Sequence, residues 1–300
     1  MGMKIKEIIR SARKLCEPFR VTNDHFKLKD YDPEETLGFK SEDKPRAKEA
    51  LETGILALAE LQDKLYAQDR WGVLIICQAM DAAGKDGAIK HVMSGVNPQG
   101  CQVSSFKGPS EEDLDHDFLW RCMKALPNRG NIGIFNRSYY EETLVVRVHP
   151  EFLAKQKIPK RLVGKDIWKE RFQDIRSFER YLTRQGIVIR KIYLNVSEKE
   201  QKKRFLERID NPEKNWKFSA NDVKERVHWN AYMKAYEDTI RHTATREAPW
   251  FVIPADNKWF TRVVVAATII DALAGLDLRY PDVGEDKLKE LAAAREDLVD

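Results

Sequence analysis

The stretch Trp71-Gly-Val-Leu-Ile-Ile-Cys-Gln-Ala-Met-Asp-Ala-Ala-Gly-Lys-Asp-Gly87 decides the fold. Val73 to Cys77 is a continuous apolar run rich in β-branched residues, which predicts a strand buried on both faces. It breaks into a short loop of small residues, Ala79, Ala82, Ala83 and Gly84. Lys85 follows, and the segment Ala88 to Met93 can be helical. Strand, small-residue loop, lysine and helix start together make a phosphate cradle. The loop's backbone N–H groups and the helix N-terminus face an anion, and the lysine adds a point charge.

Agreement with the pattern G-x-x-x-x-G-K-[ST] is partial. Gly84 and Lys85 fit, Ala79 stands where the first glycine belongs, and Asp86 replaces the magnesium-binding hydroxyl. Asp81 adds a carboxylate inside the loop, which would repel bound phosphate unless a metal lay between them. The loop therefore predicts magnesium as well as phosphate, with Asp81 as its ligand. The alternative is an ordinary strand-to-helix turn with an exposed lysine; the coincidence of strand, small residues, lysine and acids argues against it.

With 300 residues, 42% of them hydrophobic, the chain can bury a sizeable core as one large α/β domain or two small ones. Charged residues make up 33%, yet the net charge is only +4, too mild to argue for nucleic acid. Cys16, Cys77, Cys101 and Cys122 form no C-x-x-C pair, and Cys77 and Cys101 fall in strand-like runs as core thiols. This usage predicts a reducing, cytoplasmic setting. Met1 to Phe19 has no apolar core of signal-peptide length, and Gly2 lacks the Ser or Thr of a myristoylation site, since Lys6 occupies that position. No apolar run is long enough to span a bilayer, so no membrane partner is expected.

Outward from the loop, strands and helices alternate. Residues 1–44 read as an irregular arm, with Pro18, Asp30, Asp32 and Pro33 as breakers. Arg46 to Gln68 reads as a helix, with Leu51, Ile55, Leu58, Leu61 and Leu65 at helical spacing. Further strands are expected at Gly100 to Phe106, Asn131 to Asn136, Gly186 to Asn195 and Pro249 to Pro254. Ser110 and Ser197 read as helix N-caps with acids in the first turn. One helix is expected from Ser110 to about Ala125, another over Gly164 to Arg184, a long one from Asp222 to about Thr243 and a last over Lys258 to Leu276. Asp210 to Asn221 reads as a polar, hairpin-like region. The pattern predicts a mainly parallel five-stranded sheet with helices on both faces, over residues 45–280, and a charged surface helix in residues 281–300.

In such sheets ligands bind beyond the carboxyl ends of strands. The two strand ends carrying polar clusters are Ala79 to Lys85 and Asn136 to Glu141. Asn136 stands where a P-loop enzyme usually places an acid near its metal, so more of that work falls to Asp81. Arg137 can clamp a moving phosphoryl group, since a guanidinium matches phosphate oxygens in a fork; a strand-end salt bridge is its alternative reading. Tyr139 and Tyr140 read as packing. Lys202, Lys203, Arg204 and Arg208 lie on one helix, Arg204 and Arg208 on one face, with Lys214 and Lys217 beyond; residues 202–221 are a lid candidate. The lysines are expected mostly solvated, with pairs such as Lys203–Glu207, and the two arginines functional. Lys107 and Lys40 can guide a long anion. His25, His91, His116, His149, His228 and His242 show no ligand spacing.

The chain resembles the second family of polyphosphate kinases. The resemblance rests on Gln78-Ala-Met-Asp-Ala-Ala-Gly-Lys-Asp-Gly87, Ser105-Phe-Lys-Gly-Pro-Ser110, Trp120-Arg121, Phe135-Asn-Arg-Ser-Tyr-Tyr140 and Trp216-Lys-Phe-Ser219, in the family's order over residues 30 to 280. It implies a P-loop kinase fold like that of thymidylate kinase, and reversible phosphoryl transfer between inorganic polyphosphate and an adenine nucleotide, guanine being the alternative base. It implies Mg2+, with Mn2+ as a substitute, and a homodimer or homotetramer. Asn136 and Glu141 look like the class that accepts both AMP and ADP. The expected roles are phosphate binding by Lys85 and the backbone of Ala82, Ala83, Gly84, Asp86 and Gly87, metal and acceptor orientation by Asp81, and stabilisation of the transferring group by Arg137, Arg204 and Arg208, with Glu141 and Asn136 beside them. Two rivals stand: an ATP-dependent nucleoside or nucleotide kinase of the same fold, and a polyanion- or RNA-binding module without turnover, which would not need Asp81 and Glu141.

Overall fold

The computed structural model describes residues 5–299; Gly2, considered above for lipidation, lies outside the described residues. Six strands form one sheet in the order β1-β6-β5-β2-β4-β3. They are β1 Arg20–Val21, β2 Gly72–Ala79, β3 Cys101–Ser105, β4 Ile132–Asn136, β5 Ile187–Asn195 and β6 Trp250–Pro254. β2 to β6 are the five expected strands, and every pairing among them is parallel. β1 was not expected. It pairs antiparallel with β6, and two residues are too few to carry a strand periodicity.

Helices of at least eight residues are α1 Ile5–Cys16, α2 Lys44–Gln68, α3 Lys85–Val92, α4 Ile167–Arg184, α5 Glu198–Asp210, α6 Trp229–Thr243, α7 Lys258–Ala274 and α8 Glu285–Asp297. The arm is thus not irregular throughout: α1 packs on α7, which also packs on α2. α4 and α6 pack together on the opposite face. Two adjacent residues of β5 display the two layers. Arg190 faces the α1 and α7 side, in the field of Cys16 and Asp271, whereas Lys191 bonds Glu179 of α4 and a carbonyl at the end of α6. Ser110 and Ser197 do cap helices, accepting from the amides of Asp113 and Glu200. The helix expected after Ser110 is two single turns, Glu111–Leu114 and Trp120–Met123. The hairpin-like region is helical instead, a 3-10 turn over Pro212–Lys217 followed by a short helix Ala220–Glu225, which separates it from α6. α8 is exposed along its length, as expected.

Between the sheet and α4 lies a buried charged network. Lys191 Nζ donates to Glu179 Oε2 at 2.7 Å and to the Thr243 carbonyl at 2.8 Å. Glu179 Oε1 accepts from the hydroxyls of Tyr139 at 3.0 Å and Tyr140 at 2.7 Å. The two tyrosines pack, as expected, but they also fasten the 3-10 turn Tyr139–Glu142 that follows β4. A half-broken buried pair leaves an uncompensated charge. Glu179→Gln or Lys191→Met alone is expected to cost about 3–5 kcal/mol in urea unfolding. The double replacement Glu179→Gln/Lys191→Met should cost less than the two single changes added together; strict additivity would contradict the coupling.

Candidate active site

β2 is the central strand, hydrogen-bonded to β4 and β5, and its carboxyl end opens into the loop Met80–Gly84 before α3 begins at Lys85. Ala82 and Gly84 have φ of 61° and 109°. Left-handed residues in such a loop turn successive N–H groups to one side, and only glycine adopts φ near 109° without strain. A Cβ at Gly87 would meet no atom within 4 Å, so the space beside the first turn of α3 is open there.

A loop that points its N–H groups outward must turn its carbonyls inward, where they need donors. Lys85 Nζ donates to Ala79 O at 2.9 Å, and Gln201 Nε2 to Asp81 O at 2.9 Å. Arg204 supplies the rest. Its Nη1 donates to Ala82 O at 3.1 Å and Ala83 O at 2.7 Å, and its Nη2 to Ala255 O at 2.6 Å and Asp256 O at 3.1 Å. Its Nε pairs with Glu200 at 2.9 Å, and the residue is only 3% exposed. This corrects the expectation for Arg204: with every guanidinium nitrogen engaged and the side chain buried, it clamps the loop from behind and does not reach over it.

The charged groups converge at the ends of β2 and β4. Cys77 pairs with Asn136, and the Arg137 amide donates to Cys77 O at 3.0 Å. Arg137 sits in the left-handed region at φ 64°, a strained conformation for a side chain of its size. Its Nη2 donates to Asp81 Oδ1 at 2.9 Å, and its Nη1 lies 3.9 Å from Glu141 Oε2. Asn136 Nδ2 donates to Asp86 Oδ1 at 2.7 Å, and Gln78 Nε2 to Glu141 Oε1 at 3.1 Å. Burial pushes the Lys85 ammonium below its ordinary value; Asp81, Glu141 and Asp86 oppose that shift and Arg137 adds to it. Burial pushes the Glu141 carboxyl up, against the pull of Arg137 and Lys85.

Arg208 lies beside this cluster, stacked over Phe205, with Nη1 3.7 Å from Asp222. Asp222 is raised first by burial and then by the negative charge of Asp81, so its pair with Arg208 lies within the field of the loop. Lys107 lines a cavity of about 440 Å³ with Arg121, Arg137, Glu141, Phe118 and Phe152. Lys40 is exposed at the turn before α2, its amide bonded to Asp43, and none of its hydrogen bonds reaches the loop. Lys203 is exposed and pairs with Glu200 rather than Glu207. Gln78, Gln201, Asp222, Glu179 and Lys191 were not singled out in the sequence. Only Lys191 carried a signal, a lysine in the middle of an apolar strand.

The donor set suits a hard cation. Asp81 and Asp86 offer carboxylate oxygens, each with one oxygen engaged by Arg137 or Asn136. Among the described residues no group of three or more His, Cys, Asp or Glu side chains could hold a metal alone. It is the two carboxylates present that suit Mg2+, which is held by one or two carboxylates plus substrate phosphates.

Arg204→Met is expected to leave four carbonyls short of a donor. It should lower unfolding free energy by at least about 3 kcal/mol and weaken tripolyphosphate binding in calorimetry, whereas Arg204→Lys should recover part of each. Unchanged affinity in a folded Arg204→Met chain would contradict the clamp. Because folded Glu141 holds its proton more tightly than the unfolded chain does, stability on its account falls as pH rises from the ordinary glutamate range through the raised value. Glu141→Gln should remove that slope, so melting temperatures between about pH 4 and pH 8 should diverge in the variant's favour as pH rises.

The family profile described as Polyphosphate kinase 2 matches residues 41–280. The chain is 50% identical over 259 residues to an "ADP-polyphosphate phosphotransferase" of Rhodopseudomonas palustris, covering 86% of this chain and 90% of that one. It is 44% identical over 264 residues to an "AMP/ADP-polyphosphate phosphotransferase" of Meiothermus ruber, covering 88% and 94%. The crystal structure of polyphosphate kinase 2 from Arthrobacter aurescens superposes with a TM-score of 0.86 at 40% identity, over 94% of this chain and 96% of that one. With a phosphate loop, a paired Asp81–Arg137 and a parallel sheet of this order, the chain belongs to the polyphosphate kinase 2 family.

Proposed function

We propose that this chain is a polyphosphate-dependent nucleotide kinase that moves a phosphoryl group between inorganic polyphosphate and the terminal phosphate of AMP or ADP, with Mg2+ held at Asp81 and Asp86. The observation that carries this reading is the meeting of Lys85, Asp81, Arg137 and Glu141 at the adjoining ends of β2 and β4. The names of the relatives support the donor and the nucleotide class.

The acceptor atom is a phosphate oxygen, already ionised near neutral pH, so no strong general base is needed. The barrier lies in bringing two polyanions into line and stabilising the charge on the group in transit. The amides of Ala82 and Gly84 and the start of α3 donate to phosphate oxygens, and Lys85, fixed by Ala79 O, supplies a positive charge that does not have to move. Arg137 is held between Asp81 and Glu141, so its fork is oriented before substrate arrives. Asp81 and Asp86 would hold Mg2+, which would supply positive charge to the substrate phosphates there. The cavity beside Arg137 and Glu141 takes the acceptor, with Phe118 and Phe152 as apolar walls for the base and Lys107 and Arg121 as cations for its phosphate. Arg208 completes the charge over the transferring group once its pair with Asp222 opens.

The neutral Asn136 beside Asp86, together with Glu141, supports use of both AMP and ADP, as in the family class that carries these residues. Polyphosphate, Mg2+ and AMP, with no ATP present, should yield ADP and then ATP. Lys85→Met should lower kcat roughly 100- to 1,000-fold with melting behaviour preserved. No product from AMP without ATP would favour an ATP-dependent kinase, and near-normal activity of Lys85→Met would remove the phosphate loop from the reaction.

A further inference from the structure

The sheet face that carries α1 and α7 holds a second concentration of cations. Arg10, Arg13 and Lys14 of α1, Arg20 of β1 and Arg190 of β5 line an open cavity of about 980 Å³, whose acidic members are Glu17 and Asp271. Five cationic side chains therefore meet two carboxylates. Arg13 Nε takes Asp271 at 2.9 Å, and Arg20 Nη1 lies 3.5 Å from Glu17. Arg190 Nη1 finds only the carbonyl of Ile189, at 3.0 Å. The Nε atoms of both Arg20 and Arg190 are shut off from solvent with no hydrogen-bond partner among the described residues. A buried guanidinium donor left unpaired costs free energy, and a second guanidinium in the same pocket adds repulsion. Burial holds Arg190 below its ordinary value; Asp271 opposes that shift and Arg20 deepens it.

The cavity is not part of the transfer site. α7 begins at Lys258, next to the carboxyl end of β6 where Arg204 binds the Asp256 carbonyl. Asp271 comes thirteen residues later, about 20 Å along the helix at 1.5 Å per residue. A pocket with surplus guanidinium donors calls for an anion that accepts in a fork, which phosphate does. Because the cations are spread along an open surface, a chain of phosphates satisfies more of them than a single ion.

We propose that this pocket is a second binding site for inorganic phosphate chains, an anchor remote from the transfer point. The choice of a phosphate chain over other anions rests on the polyphosphate reading above. A chain held at two points gains effective concentration at each.

Calorimetric titration of the full chain with inorganic tripolyphosphate tests the proposal. Wild type should bind two per chain. Arg10→Gln/Lys14→Gln/Arg190→Met should bind one, at the phosphate loop, whereas Lys85→Met should keep the pocket site and lose or weaken the other. If Arg190→Met does not fold, the exposed pair Arg10→Gln/Lys14→Gln carries the test, with the second site weakened at least about tenfold (1.4 kcal/mol). Lys287→Gln/Lys289→Gln, on the tail helix, removes two cations elsewhere and should change neither site. One tripolyphosphate per wild-type chain, abolished by Lys85→Met, would overturn the proposal and leave the polyphosphate reading intact. An unchanged pocket variant, or an equal loss in the tail variant, would also overturn it.

Discussion

A backbone that binds an anion with its N–H groups has to dispose of its carbonyls, and the rest of this structure follows from that demand. In the loop between β2 and α3 the carbonyls of Ala79, Asp81, Ala82 and Ala83 point into the protein, where Lys85, Gln201 and Arg204 receive them. Arg204 contributes most, because its planar fork spans the loop and the Ala255–Asp256 turn at once. The loop is thereby tied to α5 and to the end of β6. Its shape is set before any phosphate arrives, so little ordering remains to be done on binding.

The charges above the loop obey a second constraint. Like and unlike charges alternate: Lys85 between acids, Asp81 against Arg137, Arg137 near Glu141, and Asp222 on Arg208. Such alternation keeps each group oriented at moderate cost in a partly buried cleft. It also means that polyanionic substrates replace existing partners rather than fill an uncompensated field. The buried Glu179–Lys191 network holds the turn carrying Glu141 from below, so the acid that faces Arg137 is positioned through Tyr139 and Tyr140.

Much of this was legible in the residues. The five parallel strands show as apolar runs, and the phosphate loop shows as strand, small residues and lysine in succession. The match of Asn136 and Arg137 to a strand end beside the loop follows from the parallel order. What was not legible depends on contacts far apart in the chain. β1 exists only because β6 offers an edge, and α1 ends at Cys16, ahead of the breakers Pro18, Asp32 and Pro33 that make the arm read as irregular. Arg204 and Arg208 share a helix face by spacing, but spacing cannot say that one faces carbonyls and the other an acid. Gln201 and Asp222 acquire their places only when α5 and the following turn fold back over the loop.

The central claim is that the amides of Ala82 and Gly84 face the anion because the carbonyls of Ala82 and Ala83 are held from behind, while the Ala83 amide stays on the Met80 carbonyl at 3.2 Å. Amide ¹H–¹⁵N spectra of alanine- and glycine-labelled protein, recorded as tripolyphosphate is added, test it most directly. The amides of Ala82 and Gly84 should shift with the binding isotherm and exchange more slowly with solvent at saturation. Saturation with those two resonances unmoved would contradict the account.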